Sequence, residues 1–275
     1  MTRQSLAIGA FERFFRSAGL SRRCFASNLL LFGISGYRYT GIPKHNFFDL
    51  VEINLHISKI MRTFAANFDA KMKVLLINGS PRRSGNTYLA LKEAAQELER
   101  NGIETEIVGV GTKPVRGCIA CSTCKTKGNG KCVFDDDLCN EVSAKMAESD
   151  GLIVGSPVYY GQPNATVLAL VQRMLYSNGA AFNGKPAAGV AVCRRGGATA
   201  ALQTLNMPFQ LLNMPIVTSQ YWNIVYGRLE GEAALDAEGM QTMRSLAKNM
   251  AYLLKATEDQ PKPEYEERQA MHFIR

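Results

Sequence analysis

Residues 74–87 have the sequence VLLINGSPRRSGNT, in which four apolar side chains precede a polar loop with two glycines. A short, uninterrupted apolar run is typical of a parallel strand that is covered on both faces. Beyond the loop, apolar side chains recur at helical spacing at Leu91, Ala94, Ala95 and Leu98. The segment therefore predicts a strand, a loop and a crossover helix, the repeating unit of a parallel α/β sheet.

The same alternation continues along the chain. Apolar runs predict further strands at residues 104–110, 152–155, 187–193 and 216–218. Helical periodicity predicts helices at residues 138–149, 166–176, 198–212 and 232–255. Together these elements predict a doubly wound, five-stranded parallel sheet with helices on both faces.

The two ends of the chain have a different pattern. Residues 1–71 lack a sustained strand or helix period, and we predict a poorly structured N-terminal extension, with Met72 as an alternative functional start. The arginines of this segment leave a mitochondrial presequence open as an alternative. We place the domain at residues 72–256 and a C-terminal tail at residues 257–275.

Composition excludes several classes of function. Most of the net charge of +8 lies in residues 1–71, so the nearly neutral domain predicts no nucleic-acid partner. The longest strongly apolar run, residues 29–34, is far shorter than the roughly 20 residues that cross a bilayer, so no membrane span is predicted. The seven cysteines are clustered rather than spread as in a secreted disulfide framework, which favours a cytoplasmic location.

The three histidines also limit the chemistry. His45, His56 and His272 all lie outside the domain. A catalytic triad or a histidine-rich metal centre therefore lacks its parts.

The loop at residues 79–87 lies where backbone N–H groups and a helix N-terminus can surround an anion. It is not a triphosphate P-loop, because Asn86 occupies the position of the required lysine, and it lacks the Gly-x-Gly-x-x-Gly dinucleotide pattern. Its hydroxyl and amide side chains suit a terminal phosphomonoester: Ser80, Ser84, Asn86 and Thr87. The alternative is an ordinary polar turn.

A cysteine-rich loop at residues 117–133 begins GCIACSTCKTKGNGKC and contains Cys118, Cys121, Cys124 and Cys132. Three cysteines at successive Cys-x2-Cys spacing are typical of ligands of an iron-sulfur cubane, so we predict a [4Fe-4S] cluster. Zinc, which usually takes ligands from two separated pairs, and an unmetallated loop stay open as alternatives. Cys139 and Cys193 are interpreted as packing residues.

Four segments carry a resemblance to a known family. They are GSPRRSGNT at residues 79–87, GSPVYYG at residues 155–161, RRGGAT at residues 194–199 and SQYWN at residues 219–223. In this order they resemble the NADPH-dependent FMN reductase and iron-sulfur flavoprotein group of flavodoxin-like proteins, over about residues 72–256. The compact cysteine spacing is similar to the motif of the iron-sulfur flavoproteins. The resemblance implies a flavodoxin-like sheet of strand order 2-1-3-4-5, with ligands at the switch point between the first and third strands.

The resemblance also implies which residues hold FMN. The implied residues are Ser80, Arg82, Ser84, Gly85, Asn86, Thr87, Pro157, Val158, Tyr159, Tyr160, Gly161, Arg194, Arg195 and Gly196. Tyr159 and Tyr160 could cover the isoalloxazine ring, and Arg194 or Arg195 could face its N1/O2 edge.

The activity that the resemblance implies is an NAD(P)H-dependent flavin oxidoreductase. Electrons would pass from NAD(P)H through FMN and the [4Fe-4S] cluster to a small-molecule or protein acceptor, in a homo-oligomer that is a dimer or tetramer. Two alternatives stay open: an electron carrier that serves ferredoxin-like proteins without turnover of its own, and an FMN-only quinone or nitro-compound reductase with an empty cysteine loop.

Overall fold

The structure is a computed structural model that describes residues 72–261, 263–267 and 269. The chain divides into two units, residues 1–67 and 68–275, and the described residues belong to the second. The extension predicted for residues 1–71 lies outside the described residues and stays a prediction. No helix in the described part of the chain is long and apolar enough to cross a membrane.

Five parallel strands form the sheet in the order β2-β1-β3-β5-β6, with a short additional strand, β4, antiparallel to β3. The strands are β1 (Lys73–Asn78), β2 (Glu104–Gly109), β3 (Gly151–Tyr159), β4 (Gln162–Pro163), β5 (Ala187–Cys193) and β6 (Ile224–Tyr226). Counted over the parallel strands alone, this is the order 2-1-3-4-5. The predicted flavodoxin-like fold is therefore confirmed, and β4 is an addition that the sequence did not indicate.

The described residues form six α-helices. They are α1 (Asn86–Arg100), α2 (Thr123–Lys127), α3 (Cys139–Ala147), α4 (Ala165–Asn178), α5 (Ala198–Leu211) and α6 (Ala237–Thr257), with short 3₁₀ turns at Gly179–Ala181 and Glu232–Leu235. Of these helices, α2 lies in the cysteine-rich loop and the others pack around the sheet. Val74 and Leu76 of β1 pack in the core with α1 and α6. Leu75 and Ile77 pack on the opposite face with α3 and α4. All four side chains are fully buried, which is why the first strand has no polar alternation.

The fifth parallel strand is not where the sequence predicted it. Ile216 makes only a single bridge, to Ala187, and the ladder with β5 is completed by β6. Between the two, the side-chain amide of Asn223 donates to the carbonyls of Gly189 and Val217 at 3.2 and 3.3 Å. A side chain thus replaces strand pairing there, and the chain loops out over residues 218–222 before it rejoins the sheet.

The predicted closing helix at residues 232–255 is divided in two. A 3₁₀ turn at Glu232–Leu235 precedes α6, and Asp236 stands between them. The Asp236 carboxylate accepts from the backbone N–H of Gly239 at 2.9 Å and of Tyr226 at 2.7 Å. It caps α6 and fixes the helix to β6, so the helix begins at Ala237 rather than at residue 232.

Candidate cofactor-binding site

The predicted flavin loops meet at one edge of the sheet. Strands β1, β3 and β5 are adjacent and parallel, so their carboxyl ends point to the same side. The loop at residues 79–85 follows β1, the turn at Tyr160 and Gly161 follows β3, and the loop at residues 194–197 follows β5. The structure thus brings all three predicted segments to the switch point between β1 and β3.

Gly79 allows the first loop to lie directly against β3. Its N–H donates to the Gly155 carbonyl at 2.7 Å, and its own carbonyl accepts from the Asn164 side chain at 2.7 Å. A Cβ on Gly79 would lie 2.7 Å from the Gly155 oxygen and 2.9 Å from Val167. This position requires a glycine because the backbone of β3 cannot move aside without breaking the sheet.

We expect Gly79→Ala to destabilise the fold by about 1–3 kcal/mol, the usual cost of an added methyl group in a closely packed site. The matched control is Gly109→Ala in β2, where an added Cβ would meet nothing within 4 Å. Urea unfolding of the two variants measures the difference. Equal unfolding free energies for both variants would show that the close approach of the loop to β3 has no energetic consequence.

The N-terminus of α1 offers donors to an anion. The helix begins after Gly85 with no side-chain cap and with no acidic residue in its first turn. Thr87 is 2% exposed, and its hydroxyl makes no hydrogen bond with any described residue. The Ser80 hydroxyl oxygen accepts from the Arg82 N–H at 3.2 Å, which leaves the Ser80 proton to donate elsewhere. Free N–H groups and two hydroxyls are the donors that a phosphomonoester needs.

Two of the predicted phosphate contacts are engaged elsewhere. The Ser84 hydroxyl donates to the Glu230 carboxylate at 3.1 Å. The Asn86 side chain donates to the Leu229 carbonyl at 2.8 Å and accepts from the Ala233 N–H at 3.1 Å. This long-range contact between the loop at residues 79–87 and residues 229–233 was not predicted from the sequence. The roles of Ser84 and Asn86 toward a phosphate stay predictions, and contact through Ser84 would require Glu230 to turn away.

Four exposed arginines add positive charge to this edge. They are Arg82 and Arg83 on the loop after β1 and Arg194 and Arg195 on the loop after β5. Their side chains make no ion pair or hydrogen bond with the residues that the structure describes. Uncompensated cations on loops that border one site favour an anionic ligand.

Tyr160 lies at the tip of a tight hairpin. Tyr159 pairs with Gln162 across β3 and β4, which leaves Tyr160 and Gly161 as the two central turn residues, at φ 50° and 78°. Left-handed φ at both positions is typical of a type I′ turn, and for a tyrosine it costs roughly 1 kcal/mol or more. The turn leaves the Tyr160 ring fully exposed at the site edge. Such a ring is available to stack on a planar ligand.

Further aromatic side chains line the same side of the sheet. Tyr221 and Trp222 are both more than half exposed, and their ring centroids lie 5.3 Å apart. Tyr226, at the end of β6, is also exposed. The sequence marked residues 219–223 as part of the resemblance but did not assign them or Tyr226 to the binding set. The sequence signal that could have identified them is the cluster of aromatic residues just before and within the edge strand β6.

The four cysteines of the cysteine-rich loop line a single cavity. Cys118, Cys121, Cys124 and Cys132 border a small cavity of about 20 Å³ that is partly open to solvent. The backbone can wrap around it because Ala120, Ser122, Gly128 and Gly130 all have left-handed φ, between 53° and 70°. Two of these residues are not glycines, and strain of this kind is often found at ligand sites.

The side-chain donors that line this cavity include four thiols. Among the described residues, no group of three or more His, Cys, Asp or Glu side chains is placed to hold one metal ion. A cubane core spreads its four thiolates farther apart than a zinc ion does at a Zn–S distance of about 2.3 Å. Four thiols around a cavity, with no carboxylate or imidazole in its wall, are a donor set of the type that a [4Fe-4S] core takes.

The remaining described cysteines have a different environment. Cys139 is fully buried in the core, and burial raises the pKa of its thiol to about 12. Burial also raises the pKa of Cys193. By contrast, a hydrogen bond with Thr123 lowers the pKa of the exposed Cys121 thiol. Cys139 and Cys193 thus remain neutral packing residues at ordinary pH, whereas the loop presents a thiol that ionises more readily.

The chain matches a family model and is similar to several known proteins. The family model for NADPH-dependent FMN reductase matches residues 72–228. An iron-sulfur flavoprotein of Methanocaldococcus jannaschii is 36% identical over 192 residues, covering 67% of this chain and 98% of that protein. An iron-sulfur flavoprotein of Methanosarcina thermophila is 32% identical over 189 residues, covering 66% of this chain and 95% of the other.

A solved structure supports the same fold. RosB, determined with a bound riboflavin-phosphate derivative, superposes with a TM-score of 0.55 at 17% identity, covering 70% of this chain and 82% of RosB. At this identity the likeness concerns the fold alone.

Proposed function

This chain belongs to the NADPH-dependent FMN reductase family and is an FMN-containing oxidoreductase, and from that premise we propose that it also carries a [4Fe-4S] cluster. Electrons would pass from NAD(P)H through FMN and the cluster to an acceptor. One observation carries the proposal: the four loop cysteines line one cavity, in a chain whose relatives are named iron-sulfur flavoproteins.

The residues at the carboxyl edge of the sheet fit FMN. The hydroxyls of Ser80 and Thr87 and the N–H groups at the start of α1 would hold its phosphate. Tyr160 would lie against the ring, and Arg194 or Arg195 would place positive charge beside it. When bound, FMN can accept an electron pair and release single electrons, which amino-acid side chains cannot do.

Within the cysteine-rich loop, the thiolates of Cys118, Cys121, Cys124 and Cys132 would ligate the cluster, which supplies one-electron transfer. Lys125 helps to fix the loop on the domain, because its ammonium donates to the Tyr176 carbonyl at 2.6 Å and lies 4.5 Å from the centre of the Tyr176 ring. Lys125 therefore contributes to the packing of the loop against α4.

Partners and location are part of the same proposal. The exposed aromatic residues beside the site suit a small-molecule acceptor or a protein surface, including a second copy of the chain in a dimer or tetramer. The described cysteines form no disulfide bonds, and two of them, Cys118 and Cys121, are exposed. Free, exposed thiols are typical of proteins in the reducing cytoplasm, the location that we propose.

Anaerobic addition of NADPH or NADH to the purified protein tests the catalytic part of the proposal. We expect rapid loss of the oxidised-flavin absorbance with at least one of the two donors. If neither donor bleaches the flavin, while the chemically reduced protein still exchanges electrons with a ferredoxin, the chain is an electron carrier. If the flavin bleaches but the protein contains no iron or sulfide, the chain is an FMN-only reductase.

A further inference from the structure

Arg173 has an unusual position for a charged residue. It lies on α4 between apolar core residues such as Leu170 and Met174, is only 1% exposed, and is the largest fully buried side chain in the described part of the chain. A buried guanidinium is costly unless its N–H donors are satisfied. Its partners therefore indicate what the charge is for.

Among the described residues, all of the hydrogen-bond partners of Arg173 lie on the segment that carries the four cysteines. Nη1 donates to the Asp137 carboxylate and, at 3.2 Å, to the Arg116 carbonyl. Nη2 donates to the Phe134 carbonyl at 3.4 Å, and Nε lies 3.4 Å from the Cys132 sulfur. Arg116 precedes the first of the four cysteines, and Phe134 and Asp137 follow the last. One side chain of the scaffold helix thus joins both ends of the loop.

The charges in this contact are balanced. Burial raises the pKa of Asp137, but the hydrogen bonds from Arg173 and from the backbone N–H groups of Cys139 and Arg116 outweigh it, so the carboxyl stays ionised. Asp137 is 4% exposed and compensates the guanidinium, which leaves Nε as a donor toward the Cys132 sulfur. An N–H donated to a ligand sulfur stabilises added negative charge on a cluster and so raises its reduction potential.

We propose that Arg173 is a positioning residue that holds the two ends of the cysteine-rich loop together from helix α4. Through its contact with Cys132, and with Asp137 as its counter-charge, it affects how firmly the cluster is retained and at what potential the cluster is reduced. This inference rests on the proposed function. Arg173 lies outside the cysteine motif. The two members of the buried ion pair, Arg173 and Asp137, have opposite effects on the reduction potential.

The test uses two pairs of matched variants in the full chain. Arg173→Lys keeps the charge but loses the planar fork that reaches four partners, and Asp137→Asn removes the counter-charge. The controls are Arg116→Lys and Asp136→Asn, because Arg116 and Asp136 form an ion pair on the same loop with both side chains more than half exposed. FMN content and thermal unfolding are measured for all four variants to verify the fold.

We expect cluster loss to a chelator to be roughly tenfold faster in Arg173→Lys than in the wild type, since a hydrogen bond to a charged sulfur is lost. Its midpoint potential, followed by EPR-monitored titration, should shift downward, whereas that of Asp137→Asn should shift upward. The exposed-pair controls should show neither change. Shifts in the same direction for both buried variants, or shifts equal to those of the controls, would overturn the proposal.

A metal-free readout separates this inference from the proposed function. In apo protein, backbone hydrogen exchange over residues 116–137 should be faster in Arg173→Lys than in both the wild type and Arg116→Lys. Unchanged exchange would show that Arg173 does not close the loop, whatever the loop holds. A wild-type protein without iron and sulfide would instead contradict the proposed function, and the exchange result would still decide the role of Arg173.

Discussion

Loss of the cluster is expected in each of four single variants, Cys118→Ala, Cys121→Ala, Cys124→Ala and Cys132→Ala. The four thiols line one cavity, and removal of one of them would leave an iron of the proposed cubane without its thiolate. Iron and acid-labile sulfide, measured after anaerobic purification, should fall to a small fraction of the wild-type amounts. FMN should remain bound, because the donors proposed for its phosphate lie elsewhere, on the loop after β1 and on α1.

Cys139→Ala and Cys193→Ala are the matched controls. Both thiols are buried away from solvent, and burial raises the pKa of each. We expect these variants to keep their iron and sulfide even though each loses a few packing contacts. Full iron content in any of the four loop variants, or equal loss in the two controls, would contradict the assignment of the ligands.

Thr87→Val should weaken FMN binding roughly tenfold or more, because a hydrogen bond to a charged group contributes about 1.5–3 kcal/mol. Thr87 is only 2% exposed at the start of α1, and its hydroxyl has no partner among the described residues, so a phosphate would be its natural acceptor. Valine conserves the shape of the side chain. The measurement is the dissociation constant of FMN for apo protein, determined by flavin fluorescence.

Riboflavin and a second variant make this prediction specific. Riboflavin lacks the phosphate, so Thr87→Val should leave its affinity nearly unchanged. Ser84→Ala alters the same loop, but the Ser84 hydroxyl is directed to Glu230, and we expect a smaller effect on FMN. Equal losses for FMN and riboflavin would show that Thr87 does not contact a phosphate.

The sequence predicted the parts of the fold that depend on local pattern. Val74 to Ile77 and Leu152 to Val154 are fully buried, and their uninterrupted apolar runs identified β1 and β3. The fifth strand was placed wrongly because residues 216–218 and 224–226 are both short apolar runs. The choice between them depends on pairing with β5 and on the Asn223 side chain, which no local pattern reveals.

The site was predicted less completely for the same reason. The loop after β1 and the spacing of the cysteines are local signals. In the structure, the loop after β1 lies beside free hydrogen-bond donors, and the cysteine-rich loop lines a cavity. The contacts of Ser84 and Asn86 with residues 229–233 join segments more than 140 positions apart. Arg173 was missed because an arginine on a helix is usually exposed. The available signal was its spacing from Leu170 and Met174, which places it on the apolar face of α4.

Iron, acid-labile sulfide and FMN, measured together on wild-type protein purified without oxygen, test the central claim most directly. We expect iron and sulfide in equal amounts, four of each per FMN as a [4Fe-4S] cluster requires. Stoichiometric FMN with zinc, or with neither iron nor sulfide, would contradict it and leave an FMN-only reductase.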